Sequence, residues 1–328
     1  MISRRRVVLA LGASTFAASG VSFAQQASTK VPRIGFLGSE SATVFATRVE
    51  ALRAGLRDFG YVEGKNIVID FQWAEGKRER LPELAAELVR LKADVIVTHA
   101  VPATRAAKQA TTTIPIVMTA VGDAVANGIV TSLARPDSNI TGTTYFVPEL
   151  NAKRLELLKE ILPQITQVAI LLNPNNPSTG VASKAAGQAA KLLKLSLHEF
   201  PVRAPNEFDS TVAAIAKKRV GAVVIYDDPM LIGDPKPIAD LTAKHRLPSA
   251  GVKQFAEAGG MIGYGVDNLV MFRRTGYFVD KILKGTKPGD LPIEQPTNFE
   301  LVVNLNAAKA LGVKIPNSIR VRATSVIE

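Results

Sequence analysis

The amino-acid sequence predicts an α/β protein of two similar lobes, each built on a parallel β-sheet. Apolar runs of strand length alternate with segments whose apolar residues recur every three or four positions, which is the pattern of βαβ units. The same order of runs returns about 130 residues further along the chain, and two similar halves explain this most simply. The length of 328 residues also suits two domains.

The first half contains four predicted strands with helices between them. The strand segments are RIGFLGS at 33–39, NIVIDFQWA at 66–74, DVIVT at 94–98 and IPIVMTA at 114–120. The first helix is predicted from apolar residues on one face, which are Phe45, Val49, Leu52, Leu56 and Phe59. A second apolar stripe runs from Leu81 to Leu91, and a third helix is predicted over Pro102–Ala110.

The second half repeats this order of elements. Its strand segments are QVAILLNP at 167–174, SLHEF at 196–200, AVVIY at 222–226, LPSAG at 247–251 and MIGYGV at 261–266. A helix follows, with Leu269, Phe272, Gly276, Val279 and Leu283 on one face. Parallel sheets bind ligands at the carboxyl ends of their strands. We therefore expect the turns Thr98–Thr104 and Tyr226–Met230 to face each other across a cleft between the lobes.

The N-terminal segment is predicted to be a cleavable signal peptide over residues 1–24. Three arginines, an apolar stretch over 7–18 and the sequence Ser22-Phe23-Ala24 form the three parts of such a signal. The arginines fit a twin-arginine signal, and a general secretory signal remains the alternative. We therefore expect a periplasmic protein that contacts the membrane only through a partner.

The composition excludes several kinds of site. The chain has no cysteine, and its three histidines are not at metal-ligand spacing, so disulfides, thiol nucleophiles and zinc sites are not expected. The net charge is +11, but the basic residues alternate with acidic ones along predicted helices, as in KRLELLKE, which indicates solvated helix faces and not a nucleic-acid surface. No cofactor motif follows a strand, and no G-x-S-x-G elbow or P-loop is present.

A set of ordered motifs places the sequence close to a known family. From about Val31 to the C-terminus, the motifs PRIGFLGS, LRDFGYVEGKNIVIDFQWAEGKRERLPELAAELV, IPIVM, ITGTTYF, AKRLELLKEILP, LLNPNNP, EAGGMIGYG, VDKILKG and LPIEQPTNFELVVNLNAAKALG closely resemble ABC-transporter substrate-binding proteins of the tryptophan/tyrosine-uptake-like family. The resemblance implies a type I periplasmic-binding fold with two Rossmann-like lobes joined by a hinge. The implied lobes are residues 30–146 plus 268–294 and residues 147–267 plus 295–328.

Matching the strand-end turns to this family gives a set of candidate ligand-binding residues from both lobes. In the first lobe they are Gly38, Ser39, Thr98, Ala100, Thr104, Thr119, Asp123 and Tyr145, and in the second lobe Asn173, Asp227, Asp228 and Tyr264. Hydroxyl groups and helix N–H groups in the first lobe are expected to hold a carboxylate. An aspartate of the second lobe is expected to pair with an amine, and Tyr145 or Tyr264 to lie against an apolar group.

Each candidate also has a purely structural interpretation. Ser39, Thr104 and Asp228 are typical helix caps, and NPNNP at 173–177 is typical of a rigid turn. Tyr145 and Tyr264 are equally compatible with the core. A lone histidine such as His99 is more often structural than functional.

The resemblance implies a binding protein and not an enzyme: a monomer that captures a small molecule and delivers it to an ABC permease driven by its ATPase. The predicted ligand is an amino acid or related zwitterion, with an aromatic side chain as one option. Two alternatives stay open, a binding protein that serves a signalling receptor and an exported α/β enzyme. A transcription regulator of similar architecture would carry a helix-turn-helix where the export signal lies.

Overall fold

Two β-sheets organise the part of the chain that the structure, a computed structural model, describes, namely residues 31–136 and 138–328. The predicted signal segment 1–24 lies outside these residues. The first sheet is all parallel, in the order β2-β1-β3-β4-β5. Its strands and the helices between them are β1 (Arg33–Gly38), α1 (Ala42–Arg57), β2 (Val68–Trp73), α2 (Leu81–Arg90), β3 (Val95–His99), α3 (Ala100–Ala110), β4 (Ile116–Gly122) and β5 (Ile140–Tyr145).

The second sheet has seven strands in the order β12-β11-β10-β9-β8-β6-β7. Its pairs are parallel except β10 with β11, which is antiparallel. The elements in chain order are α4 (Val147–Ile161), β6 (Gln167–Leu172), α5 (Thr179–Leu192), β7 (Ser196–Pro201), α6 (Phe208–Lys217), β8 (Ala222–Ile225), α7 (Pro229–Gly233), α8 (Lys236–Lys244), β9 (Ser249–Gly251), α9 (Lys253–Glu257), β10 (Ile262–Gly265), α10 (Asn268–Leu283), β11 (Glu300–Asn304), α11 (Leu305–Leu311), α12 (Asn317–Arg322) and β12 (Ser325–Ile327).

The first sheet is buried on both faces, as its continuous apolar runs predict. Along β3, Val95 and Val97 belong to the core on one face, and Ile96 belongs to the core on the other. The core that contains Val95 also contains Phe45 of α1 and Phe272 of α10. Helix α10 therefore packs on the first sheet, although it follows β10 of the second sheet in sequence.

Two glycines let α1 and α10 approach closely. A Cβ atom on Gly55 would lie 1.9 Å from the carbonyl oxygen of Arg273, and one on Gly276 would lie 2.3 Å from the backbone of Gly55. Real atoms do not approach to these distances, so a side chain at either position would force the helices apart. The backbone contact fixes α10 against the first sheet.

The chain passes between the two sheets at three places, which form the hinge. It leaves the first sheet after Tyr145 and returns between Gly265 and Asn268. It crosses again after Glu294, which forms a bridge with Thr143 of the first sheet, before β11 begins. We name the first sheet with α1 to α3 and α10 the first lobe, and the second sheet with the remaining helices the second lobe.

Two details differ from the sequence prediction. Helix α3 begins at Ala100 and not at Pro102, and the chain turns sharply into it at Ala100, whose φ is 59°. Strand β5 of the first sheet and the C-terminal strands β11 and β12 were not predicted, and β11 makes the second sheet mixed. An antiparallel edge on a mostly parallel sheet is common in this class of fold.

Candidate ligand-binding cleft

The strand-end edges of the two lobes face each other and are in direct contact. Arg78, in a 3₁₀ turn of the first lobe, forms an ion pair with Asp228 of the second lobe, with 2.6 Å between Nη2 and Oδ2. Arg48 of α1 donates from Nη2 to the carbonyl oxygen of Ile232 in α7 at 3.0 Å. The cleft between the lobes is thus closed over a set of buried polar side chains.

Asp228 lies at the centre of this contact and is fully buried. Its Oδ1 caps α7 by accepting from the N–H of Met230 at 2.9 Å, and it also accepts from Asn173 at 3.3 Å. Its Oδ2 accepts from Asn176 at 2.8 Å, besides Arg78. Both carboxylate oxygens are therefore engaged by protein donors, as a buried charge requires.

Asp227 forms a second buried ion pair, entirely within the second lobe. Its Oδ1 lies 2.5 Å from Nη1 of Arg154, which is fully buried on α4. Arg154 also donates from Nε to the carbonyl oxygen of Tyr264 at 2.9 Å. The pair therefore joins α4 to the ends of β8 and β10, next to two of the hinge crossings.

Two buried tyrosines lie beside these charges. Burial and the negative charge of Asp227 hold the pKa of Tyr145 well above its usual value. Burial also raises the pKa of Tyr226, whose hydroxyl lies 3.0 Å from that of Ser178. Both side chains stay neutral phenols, and each combines a polar hydroxyl group with an apolar ring.

The first-lobe hydroxyl groups bond mostly to each other. Thr98 and Thr104 are 2.7 Å apart between their Oγ1 atoms, and Thr104 also donates to the carbonyl oxygen of Ala100 at 2.7 Å. Thr119 bonds to Thr275 of α10 at 2.7 Å. Ser39 differs, because its buried Oγ has no hydrogen-bond partner among residues 31–136 and 138–328.

The strand ends of the first lobe are held in an unfavourable backbone conformation. Ala100, Ala120 and Asp123 have φ values of 59°, 50° and 40°, a region that residues with a Cβ atom adopt rarely. The carboxylate of Asp123 caps the following turn at the N–H of Ala126. Such local strain persists only where surrounding packing enforces it, and it is common at binding sites.

Other sequence candidates have packing roles in the structure. A Cβ atom on Gly38 would lie 2.3 Å from the ring of Trp73, so this glycine makes room for the indole. The ring of Tyr264 stacks on Phe299, with 6.3 Å between centroids. His99 lies between Phe45 and Phe272, at 5.1 and 5.3 Å, and burial and Arg48 lower its pKa well below its usual value. His99 is thus a neutral core residue.

Four charged residues of the cleft were missed by sequence reasoning: Glu40, Arg48, Arg78 and Arg154. Burial, together with Asp228, raises the pKa of Glu40 to about 7, although Arg78 and Arg48 oppose this shift. Burial lowers the pKa of Arg48 to about 10. A signal existed for Arg154, because it follows Leu150 and precedes Leu157, Leu158 and Ile161 on the buried face of α4.

Several buried donors of the two ion-paired arginines and their neighbourhood have no hydrogen-bond partner in the described residues. Nη1 of Arg78, Nη2 of Arg154 and Nδ2 of Asn151 are buried nitrogen atoms without a partner in the described part of the chain. An acceptor-rich group such as a carboxylate would satisfy such donors. Asp227 uses Oδ1 for its ion pair with Arg154.

Two kinds of feature are absent from the described residues. No helix within 31–136 and 138–328 is both long and apolar enough to cross a membrane. Over the same ranges, no group of acidic and histidine side chains is arranged to hold a metal ion.

Two α/β lobes with strand ends facing across a cleft, joined by three crossings, define a solute-binding protein of the type I periplasmic class. The model of the family described as ABC transporter substrate binding protein matches residues 41–327, and the chain belongs to this family. The family is one of binding proteins and not of enzymes.

Three relatives resemble the chain over most of its length. A tyrosine-binding protein of Clostridioides difficile is 26% identical over 260 residues, which cover 79% of this chain and 74% of the relative. A Streptococcus pneumoniae ABC domain in complex with L-Trp is 26% identical with a TM-score of 0.81, over 90% of this chain and all of that one. A ligand-free, open substrate-binding protein with adhesive properties from Clostridium difficile is 25% identical with a TM-score of 0.64, over 91% and 99%. The TM-score is thus higher for the tryptophan complex than for the open protein.

Proposed function

We propose that this protein captures an amino acid, with an aromatic side chain preferred, in the cleft between its lobes and delivers it to an ABC permease driven by an ATPase. In this proposal the protein is exported by residues 1–24 and works as a monomer in the periplasm. The lobes are taken as 30–146 plus 268–294 and 147–267 plus 295–328. Support comes from the tyrosine-binding relative and from the complex of the pneumococcal relative with L-Trp.

One observation favours a zwitterion: buried charges of both signs lie at the closed cleft, and the arginines among them have N–H groups without a partner in the described residues. The free N–H groups of Arg78 and Arg154 suit a ligand carboxylate. The Oδ2 atom of Asp227 suits a ligand ammonium group. Asp228 is the weaker candidate for the ammonium group, since four protein donors already engage it.

The aromatic preference rests on Tyr145 and Tyr226. Both side chains are buried, Tyr226 directly precedes Asp227 in the chain, and the negative charge of Asp227 contributes to the raised pKa of Tyr145. A ligand ring near Asp227 would find apolar faces there, and aromatic pairs contribute about 0.5–1.5 kcal/mol beyond the area they bury. The remaining candidates, Gly38, Ser39, Thr98, Ala100, Thr104, Thr119, Asp123, Asn173 and Tyr264, form the wall of the proposed site.

Delivery of the ligand to the permease depends on closure of the two lobes around it. A ligand that contacts both lobes stabilises the closed state relative to the open one, and a permease that recognises the closed shape then responds to ligand. This mechanism needs no covalent step.

The test is thermal unfolding of the mature protein with matched ligands. L-Trp, L-Tyr and L-Phe are compared with tryptamine, which lacks the carboxylate, indole-3-propionate, which lacks the amine, and L-Leu, which lacks the ring. We expect the aromatic amino acids to raise Tm by several degrees at about 100 times Kd, because binding to the native state adds roughly 2.7 kcal/mol. The incomplete analogues should have smaller effects.

Variants then assign the ammonium contact. Asp227→Asn should weaken L-Trp more than indole-3-propionate, while Asp209→Asn, an exposed substitution of the same kind, should change neither. If no aromatic amino acid raises Tm, or if tryptamine and indole-3-propionate match L-Trp, the proposed ligand class is wrong.

A further inference from the structure

The two lobes are bonded to each other through protein atoms alone. The ion pair of Arg78 with Asp228 connects the 3₁₀ turn before α2 to the start of α7. The hydrogen bond from Arg48 connects α1 to the carbonyl oxygen of Ile232 in α7. These two contacts meet the same short helix from two elements of the first lobe.

The Arg78 contact exists only when the cleft is closed, since its partners belong to different lobes. In the closed cleft Asp228 is fully buried, and the side chain of Arg78 is 13% exposed. Burying a lone carboxylate is strongly unfavourable, and the Coulombic attraction offsets this only with good geometry and further hydrogen bonds. Asp228 has those bonds from its own lobe, through Asn173, Asn176 and the N–H of Met230.

The second contact has complementary shape as well as charge. Arg48 is buried and donates to the last turn of α7, where helix carbonyl groups lack partners within the helix. Next to it, a Cβ atom on Gly233 would lie 2.5 Å from Cγ1 of Val44 in α1. The end of α7 therefore fits against α1 only because residue 233 has no side chain.

We propose that Arg78 is a positioning residue that, with Arg48, holds the cleft closed on Asp228 and α7 in the absence of ligand. We name Arg48, Arg78 and Asp228 the closing latch. Because the latch bonds require no ligand atom, the free protein populates the closed state to a measurable extent. A ligand then binds more tightly, because less free energy is used to close the lobes.

The experiment measures closure directly in ligand-free protein. The chain has no cysteine, so Glu83→Cys on α2 and Lys184→Cys on α5 give a unique pair of sites for fluorescent labels. Bound solute is removed by unfolding in guanidinium and refolding, and native mass spectrometry checks its removal. Energy transfer between the labels then reports the closed fraction, and small-angle scattering of unlabelled protein gives an independent radius of gyration.

Arg78→Ala should lower the ratio of closed to open protein by roughly thirtyfold or more, as expected when one partner of a buried charge pair across an interface is truncated. Arg78→Lys keeps the positive charge but not the planar guanidinium group, so it should retain part of the closed fraction that Arg78→Ala loses. Arg80→Ala is the matched control, because Arg80 lies in the same 3₁₀ turn and has no ion pair among the described residues.

The result that would overturn the latch is an Arg78→Ala protein whose closed fraction and radius of gyration equal those of the parent, or an Arg80→Ala protein with the same loss. Circular dichroism confirms that each variant is folded. If Arg78→Ala is not folded, Arg78→Gln and Arg78→Lys decide the question by the same measurements. All of these are made without ligand, so their outcome is independent of whether an aromatic amino acid binds.

Discussion

The turn after β3 and the turn after β8 occupy equivalent places in the two lobes, yet they are stabilised in opposite ways. In the first, Thr98 and Thr104 bond to each other and Thr104 donates to the carbonyl oxygen of Ala100, so all partners lie six residues or fewer apart in sequence. In the second, Asp227 and Asp228 bind arginines that lie 73 and 150 positions away. One turn is self-contained, and the other depends on distant elements.

This difference follows from charge. A buried hydroxyl group is satisfied by one neutral partner, which a local turn can supply. A buried carboxylate needs a cation and several further donors, and a short turn cannot provide all of them. The second turn therefore joins α4, β10 and the opposite lobe, and it is the part of the site whose structure depends on the arrangement of the lobes.

The largest effect is expected from Arg154→Met, which removes a distant partner of the second turn. This change leaves the carboxylate of Asp227 buried without its cation, and we expect a loss of about 3–5 kcal/mol in the free energy of unfolding. Urea unfolding followed by circular dichroism measures it. Arg322→Met is the control, since Arg322 forms a comparable Arg–Glu pair at the surface, with 45% and 36% of the side chains exposed.

The surface substitution should cost less than about 1 kcal/mol. Equal losses for Arg154→Met and Arg322→Met would contradict the view that the second turn depends on its buried partner.

The pH dependence of stability tests whether the charge of Asp228 in the second turn affects Glu40 in the first lobe. Its pKa rises from 4.5 to about 7 in the folded protein because of burial and Asp228. The folded state thus holds a proton that the unfolded state has lost, and this contribution to stability is full below pH 4.5 and lost as pH rises through 7. Between pH 5 and pH 8 the loss should be on the order of 2 to 3 kcal/mol.

Glu40→Gln should remove this part of the pH dependence, so that the variant exceeds the parent in stability at pH 8 and nearly equals it at pH 5. Glu257→Gln, an exposed substitution on α9 of the second lobe, should follow the parent curve. Unfolding in urea at pH 5, 6, 7 and 8 gives the comparison. Parallel curves for Glu40→Gln and the parent would show that the carboxyl group of Glu40 is ionised in the folded state.

Sequence reasoning located the fold and the strand ends at the cleft for a physical reason. Strands buried on both faces must be continuous apolar runs, so their ends, and the polar residues at those ends such as Thr98 and Asp228, are visible in the sequence. The partners of these residues are not, because nothing local links Arg78 to Asp228. For Arg154, an arginine within the apolar stripe of α4 was a usable sign of a buried cation.

The smallest expected effect concerns the self-contained turn. Thr104→Val leaves the buried Oγ1 of Thr98 without its hydrogen bond and should cost about 1–2 kcal/mol. Thr98→Val should cost less than about 1 kcal/mol, since Thr104 keeps its bond to the carbonyl oxygen of Ala100. The double variant should cost less than the sum of the single ones, because no hydroxyl group is then left unpaired. Additive losses in urea unfolding would mean that each hydroxyl group has a partner outside the turn, and the contrast between the two turns would disappear.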